Sequence, residues 1–185
     1  MRSRIILLSS IFSAFLLMVS MVNIDLHGIL PFKTSYDLLT KDVQKQVTCL
    51  AENIYFEAAH EPTVGKIAVA FVTLNRLQSG NYANTICDVV QQKTNGTCQF
   101  SWYCDRTFTD RRLTIKGTPL YNEIRELATN IVVNRERMTD VTEGATYYHA
   151  DYVRPGWKLD KVDQIGRHIF YKRKGDEIDK TRGLF

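Results

Sequence analysis

Apolar residues recur at helical spacing in three stretches of the chain. Between Thr40 and Glu61, Val43, Val47, Leu50, Ile54 and Ala58 follow at steps of four, three, four and four. That is one buried face of an amphipathic helix. Thr40 suits an N-cap and Asp42 falls in the first turn. Pro62 disfavours helical backbone at the residue before it, so the helix is predicted to end near Glu61. A second helix is predicted from about Thr63 to Leu77. Its centre, IAVAFVTL, is apolar on every side, as in a helix at the middle of a small fold. Gly65 suggests close packing near its start, and Ser79-Gly80-Asn81 ends it. The third helix opens with Thr118 as cap and Pro119 at the first helical position. Tyr121, Ile124, Leu127, Ala128 and Ile131 form its stripe.

The remaining stretches read differently. Residues 81–117 show little periodicity and hold three of the four cysteines, with NGTCQFSWYCD at their centre. They are predicted to be a long loop region pinned by a disulfide and lining a cleft. After a polar turn at 139–144, ATYYHADY reads as a strand. A loop with Pro155-Gly156-Trp157 follows, then GRHIFY (166–171) as a second strand pairing with the first. The last dozen residues are polar and predicted to be loose. The fold class is therefore α+β, mainly helical with a small antiparallel sheet.

The N-terminus adds a compartment. Arg2 and Arg4 precede an uncharged, mostly apolar stretch from Ile5 to Ile24. As a helix it spans about 30 Å, close to the hydrocarbon thickness of a bilayer. Basic residues before it and Asp25 after it put the N-terminus in the cytoplasm and the rest of the chain outside. Residues 18–23 (MVSMVN) make a poor cleavage site, which favours an uncleaved signal anchor over a removed signal peptide. The expected organisation is a membrane helix at 1–24, a linker at 25–40, one soluble domain at 41–174 and a polar tail at 175–185. The domain is expected to be exported or held on the outer side of the cytoplasmic membrane, and to be a monomer.

The net charge of the 185-residue chain is +4, and Arg2 and Arg4 supply two of those charges. The excess left to the domain is too small for a nucleic-acid binder. Aromatic residues make up 11%, which suits either an aromatic core or stacking on sugar rings. Cys49, Cys87, Cys98 and Cys104 form an even set in an exported domain, so two disulfides are expected. Cys98 and Cys104 share one irregular segment and are the favoured pair, which leaves Cys49 with Cys87. No pair has CxxC spacing and no HxxxH occurs, so neither a metal nor another cofactor is expected.

Cleaving a glycosidic bond requires a protonated carboxyl at the leaving oxygen. A partly apolar setting raises such a carboxyl towards neutral pKa. The first helix offers Glu52, Glu57 and Glu61. At about 100° per residue, Glu57 lies beside Leu50 and Ile54 at the edge of the buried face. Glu61 shares its face where the helix breaks. Glu52 points about 140° away and is predicted to face solvent. Spacing alone does not choose among the three.

The run CLAENIYFEAAHEPTVGKIAVAFVTLNR, residues 49–76, closely resembles the start of the SleB/CwlJ-type cell wall hydrolase domain. The resemblance continues through NTICDVV, CQFSWYCD, ATYYHADYVRPGW and IGRHIFY, over roughly residues 45–172. It implies a lysozyme-like fold, peptidoglycan as the macromolecular partner, and cleavage between muramic acid and glucosamine. It implies Glu57, the Glu of FEA, as the catalytic residue and Glu61 as possible support. Ala59-His60 stands where many members carry Arg-Gly. The implied reaction is lytic transglycosylation, with Glu57 as acid and then base, and the sugar's own 6-hydroxyl as nucleophile. A hydrolytic variant would use water held by Glu61 or Asp151.

Gln99, Ser101 and Trp102 are candidates for sugar contacts, or else brace the disulfide loop. Tyr148, His149 and Tyr152 at a strand end are further substrate-binding candidates, and His168 reads as structural. Three other readings compete. One is a metal-dependent amidase using His149, His168, Asp151 and a cysteine. The others are a wall-binding module without activity and a membrane-lesion protein built around the N-terminal helix.

Overall fold

The computed structural model describes residues 34–179, 181 and 182. The membrane helix expected at 1–24 lies outside the described residues. Among those described, no helix is long and apolar enough to cross a membrane.

Helix α1 spans Lys41–Ala58, with the Thr40 side chain accepting from Val43 N at 3.4 Å. It stops three residues before Glu61, and a short turn carries the chain to Pro62. Helix α2, Thr63–Ser79, ends on Gly80 in the left-handed region at φ 71°. Its segment from Ala68 to Gln78 is buried on every side. The short helix α3, Ile86–Gln91, is capped by Thr85, whose hydroxyl accepts from Asp88 N. A two-stranded hairpin follows, β1 (Lys93–Thr94) with β2 (Thr97–Cys98). Next come α4 (Ser101–Cys104) and α5 (Arg106–Ile115). Helix α6, Pro119–Asn134, starts from the Thr118 cap with Pro119 in its first turn. The chain ends in a three-stranded antiparallel sheet of order β3-β5-β4, with β3 at Tyr147–Ala150, β4 at Asp160–Ile165 and β5 at His168–Lys172.

The core forms where α1, α2 and α6 meet. Val47, Leu50, Ile54, Leu74, Leu77, Ile124 and Ile131 are all fully buried there. A second cluster, Ala68 and Val72 with Ala145 and Phe170, seats the sheet on the other side of α2. The apolar circumference of α2 is thus explained by its place between the helices and the sheet.

Four expectations are corrected. Residues 81–117 are not a long loop. They fold into three short helices and a hairpin, each too short to display a period. Strand β4 was not foreseen, because DKVDQI lies mostly exposed and therefore reads as polar. The end of the expected linker is docked: Tyr36–Leu38 forms a 3₁₀ turn, and the Tyr36 hydroxyl meets Thr48 Oγ1 at 2.9 Å. The described start of the polar tail also packs back. Asp176 accepts from Thr146 Oγ1 at 2.9 Å, and Asp179 N donates to Gln78 O at 3.3 Å.

Both expected disulfides are present, Cys49–Cys87 tying α1 to α3 and Cys98–Cys104 closing the β2–α4 segment.

Candidate active site

Glu57 sits in the last turn of α1 and lines a cleft of about 470 Å³. Phe56, His60, Glu61, Arg111 and Thr114 also line this cleft. One wall is the α1–α2 turn and the other is α5. The helix α5, hidden in the aperiodic part of the sequence, is therefore a wall of the site.

The partner of Glu57 comes from the sheet. The Tyr148 hydroxyl donates to Glu57 Oε2 at 2.9 Å. Two side chains of α2 mount the strand that carries Tyr148. Asn75 Nδ2 donates to Ala145 O at 3.1 Å, and Arg76 Nε donates to Thr146 O at 2.8 Å. The Leu-Asn-Arg run that ends the buried helix thus fixes where β3 begins, and Tyr148 follows two residues on. On the inner sheet face, Tyr148 packs against Phe170 and meets the His168 ring edge-on at 5.1 Å. Burial pushes the His168 imidazole pKa down, which favours the neutral ring.

The same burial acts on the carboxyl. Desolvation raises the Glu57 pKa above its ordinary value of 4.5. The Tyr148 hydrogen bond and the positive charge of Arg76 pull it down by less. Tyr148 is in turn pushed well above the ordinary phenol value by burial and by the facing carboxylate, so its proton stays on. A phenol can donate to a carboxylate without neutralising it. Glu57 is therefore held in a desolvated setting with a neutral donor on Oε2.

Beneath the cleft, Phe56 stacks on Trp102 with ring centroids 4.6 Å apart. Trp102 Nε1 donates to Asn53 Oδ1 at 2.9 Å, and Asn53 Nδ2 donates to Thr73 Oγ1 at 3.1 Å. Trp102 is 4% exposed, so it supports the cleft floor from below and presents no face to a sugar. Its indole N–H needed a buried acceptor, and Asn53 supplies one.

The other candidates separate in space. Glu61 Oε2 accepts from Arg167 N at 3.0 Å, which pins the α1–α2 turn to the β4–β5 turn. The contact is close: a Cβ on Gly166, at φ 58°, would lie 1.9 Å from Glu61 Oε2. Asp151 pairs with Arg167 Nη2 at 3.0 Å. His149 alternates with Tyr148 and faces the outer side of the sheet. There its Nδ1 lies 2.8 Å from Ala150 O and its Nε2 3.1 Å from the Tyr171 hydroxyl. Tyr152 is exposed beside Arg167. Gln99 Nε2 donates to Thr94 Oγ1 at 2.9 Å and braces the hairpin, and Ser101 is exposed at the start of α4. Of these candidates, Tyr148 alone is in hydrogen-bond contact with Glu57.

Glu52 corrects the sequence reading. It is 3% exposed, not solvent-facing. Its Oε2 accepts from Arg112 Nε at 3.0 Å and from Arg112 Nη2, and Lys116 Nζ lies 3.5 Å from Oε1. Both cations come from α5 and the residue following it. Among the described residues, no group of three or more His, Cys, Asp or Glu side chains is arranged to hold a metal ion.

The cell wall hydrolase family model matches residues 60–171, more than half of the chain. This chain belongs to the cell wall hydrolase family. Curated relatives described as spore cortex-lytic enzymes agree. That of Oceanobacillus iheyensis is 30% identical over 132 residues, covering 70% of this chain and 42% of the relative. That of Bacillus subtilis is 27% identical over 127 residues, covering 67% of this chain and 36% of the relative. The chain therefore spans less than half the length of these relatives. Two solved structures are similar, each at 25% identity. The catalytic domain of Bacillus cereus SleB superposes with a TM-score of 0.50, over 70% of this chain and 91% of that one. The catalytic domain of the germination-specific lytic transglycosylase SleB from Bacillus anthracis gives 0.52, over 77% of this chain and all of that one. In this cell wall hydrolase the family match begins at His60, three residues after Glu57. The match covers α2, the α5 wall and most of the sheet.

Proposed function

We propose that the chain cleaves peptidoglycan glycan strands between muramic acid and glucosamine as a lytic transglycosylase, with Glu57 as its single acid and base. One observation carries the reading: a neutral phenol, Tyr148, donates to this half-buried carboxyl in a cleft, and burial raises the carboxyl pKa. A general acid needs that setting. A helix-borne Glu facing a small sheet also accords with a lysozyme-like arrangement.

Tyr148 holds Oε2, which leaves Oε1 to carry the proton into the cleft. Protonated Glu57 donates to the glycosidic oxygen as the bond from the muramic C1 breaks. The 6-hydroxyl of the same sugar attacks C1, and the Glu57 carboxylate takes the hydroxyl proton. The products are a 1,6-anhydro end and a free glucosamine-side hydroxyl, and Glu57 returns to its protonated state. No second carboxylate is required. The engagement of Glu61 by Arg167 N and of Asp151 by the Arg167 guanidinium supports this route over one in which either holds a water.

Two disulfides support action outside the cytoplasm. The apolar stretch 5–24 supports a membrane anchor, with a monomeric domain beyond it. Mass spectrometry of digested sacculi tests the chemistry. Anhydro-muropeptides are expected. New reducing ends would replace transglycosylation with hydrolysis, and the absence of released glycan would end the enzymatic reading.

A further inference from the structure

A second cavity, of about 440 Å³, lies between the C-terminal half of α2 and the segment after α6. It shares no lining residue with the Glu57 cleft. Gln78 lines it, 1% exposed, and neither its Nε2 nor its Oε1 has a partner among the described residues. Arg135, from the 3₁₀ turn after α6, also lines it with a buried Nε that has no acceptor among the described residues. Asp140 is close by, but it already accepts from Thr142 N, Thr142 Oγ1, Gly144 N and Asn75 Nδ2. Phe71 and Met138 give the cavity an apolar wall.

Buried polar groups are normally hydrogen-bonded, and three unpaired atoms around one cavity describe a missing partner. That partner must offer acceptors to Arg135 Nε and to one end of the Gln78 amide, and a donor to the other end. The requirement survives an amide flip, because both ends are unpaired. Exposed Glu136 and Glu143 also line the cavity and disfavour a bare anion.

We propose that this cavity binds a small molecule carrying a carboxylate with an N–H donor beside it, the end group of an amino acid or short peptide. The carboxylate accepts from Arg135 Nε and Gln78 Nε2, the N–H donates to Gln78 Oε1, and an apolar side chain lies against Phe71 and Met138. Burial of the guanidinium agrees with this. Desolvation lowers the Arg135 pKa by more than Asp140 and Glu136 raise it, so the cation is under-compensated in the unliganded protein.

The test is an amide-resolved NMR titration of the full chain, disulfides intact, with alanine, N-acetylalanine, acetate and alaninamide. Saturable shifts at Gln78, Asp140 and Gly144 are expected with alanine or N-acetylalanine. Acetate should bind at least about tenfold more weakly, and alaninamide should produce no shift. Gln78→Leu should lose binding by at least about tenfold while glycan cleavage is unchanged and Tm does not fall, since an unpaired amide is replaced by an apolar group. If that variant fails to fold, Arg135→Gln serves in its place. Absence of saturable shifts with all four probes, acetate binding as tightly as alanine, or wild-type affinity in both variants would each overturn the proposal.

Discussion

Two carboxylates on the same helix, one buried and one half-buried, meet opposite company. On the α5 side, Glu52 is enclosed by Arg112 and Lys116. On the sheet side, Glu57 is met by the phenol of Tyr148. The two residues stand five apart on α1, so helix propensity and solvent access alone do not separate them. The partner does. A buried carboxylate with cations in contact is a structural ion pair, and removing its partner strands a charge. A buried carboxyl with a neutral donor can keep its proton at higher pH, which is what acid catalysis uses.

The largest expected effect follows from the sheet side. Glu57→Gln should reduce turnover on sacculi by about 10²–10⁴-fold, the usual range for a general acid, with sacculus binding retained. The same variant should gain stability in a defined pH window. Above pH 4.5 the unfolded Glu57 ionises freely, whereas the folded one resists, so the wild type loses stability as pH rises from 4.5 to the raised folded value. Thermal melts should show equal Tm for the two proteins at pH 4 and below, and a higher Tm for the Gln variant at neutral pH. An equal Tm at both ends would mean that Glu57 is not desolvated.

The helix side should respond in stability first. Arg112→Ala leaves Glu52 buried beside Lys116 without its closer cation, at a cost of about 3 kcal/mol in denaturant unfolding. Glu52→Gln leaves behind two partly exposed cations and should cost less, about 1.5 kcal/mol. The reverse order would undo the contrast drawn between the two regions.

A smaller effect is expected at the phenol. Tyr148→Phe removes an interaction that lowers the Glu57 pKa, so the alkaline limb of the pH–rate profile should move to higher pH. Turnover should fall by about tenfold at the optimum as the carboxyl loses its orientation. A limb that moves to lower pH would contradict the assignment. The smallest effect concerns the turn. Gly166→Ala places a methyl against Glu61 and strains a left-handed residue. It should raise KM more than it lowers kcat in sacculus assays, since it displaces a cleft wall and leaves the acid in place.

Much of this arrangement was legible in the sequence. Thr40, the Thr118-Pro119 pair and the apolar stripes locate the three long helices, and the aromatic strands locate the sheet. Glu57 stood out once the FEA run was placed within its ordered set of motifs. What was not legible has two physical causes. Elements of four to ten residues carry too few positions for a period, which hid α3, α4 and α5. With α5 hidden, nothing told that a cationic helix covers the Glu52 face. The second cause is that a side chain's role depends on what packs opposite. Tyr148 read as a substrate-binding candidate, and its bond to Glu57 could not be seen from its position in the strand. Trp102 read either as a sugar contact or as a brace, and its burial under Phe56 gives it the supporting place. Strand alternation in Tyr147-Tyr148-His149 was the available signal, because it allows only one of Tyr148 and His149 to face the helices.

The Cys49–Cys87 bond reaches further than geometry. It closes a span of 38 residues that contains Glu57, all of α2 and the Asn75-Arg76 mount of the sheet. On chain-entropy grounds it is worth about 4 kcal/mol, a large share of the 5–15 kcal/mol that a domain of this size commands. A chain with this bond reduced therefore lacks much of the stability that holds the acid against its phenol. Production in a thiol-rich host should accordingly give poorly folded material, and air or a disulfide catalyst should restore both the melt and the activity.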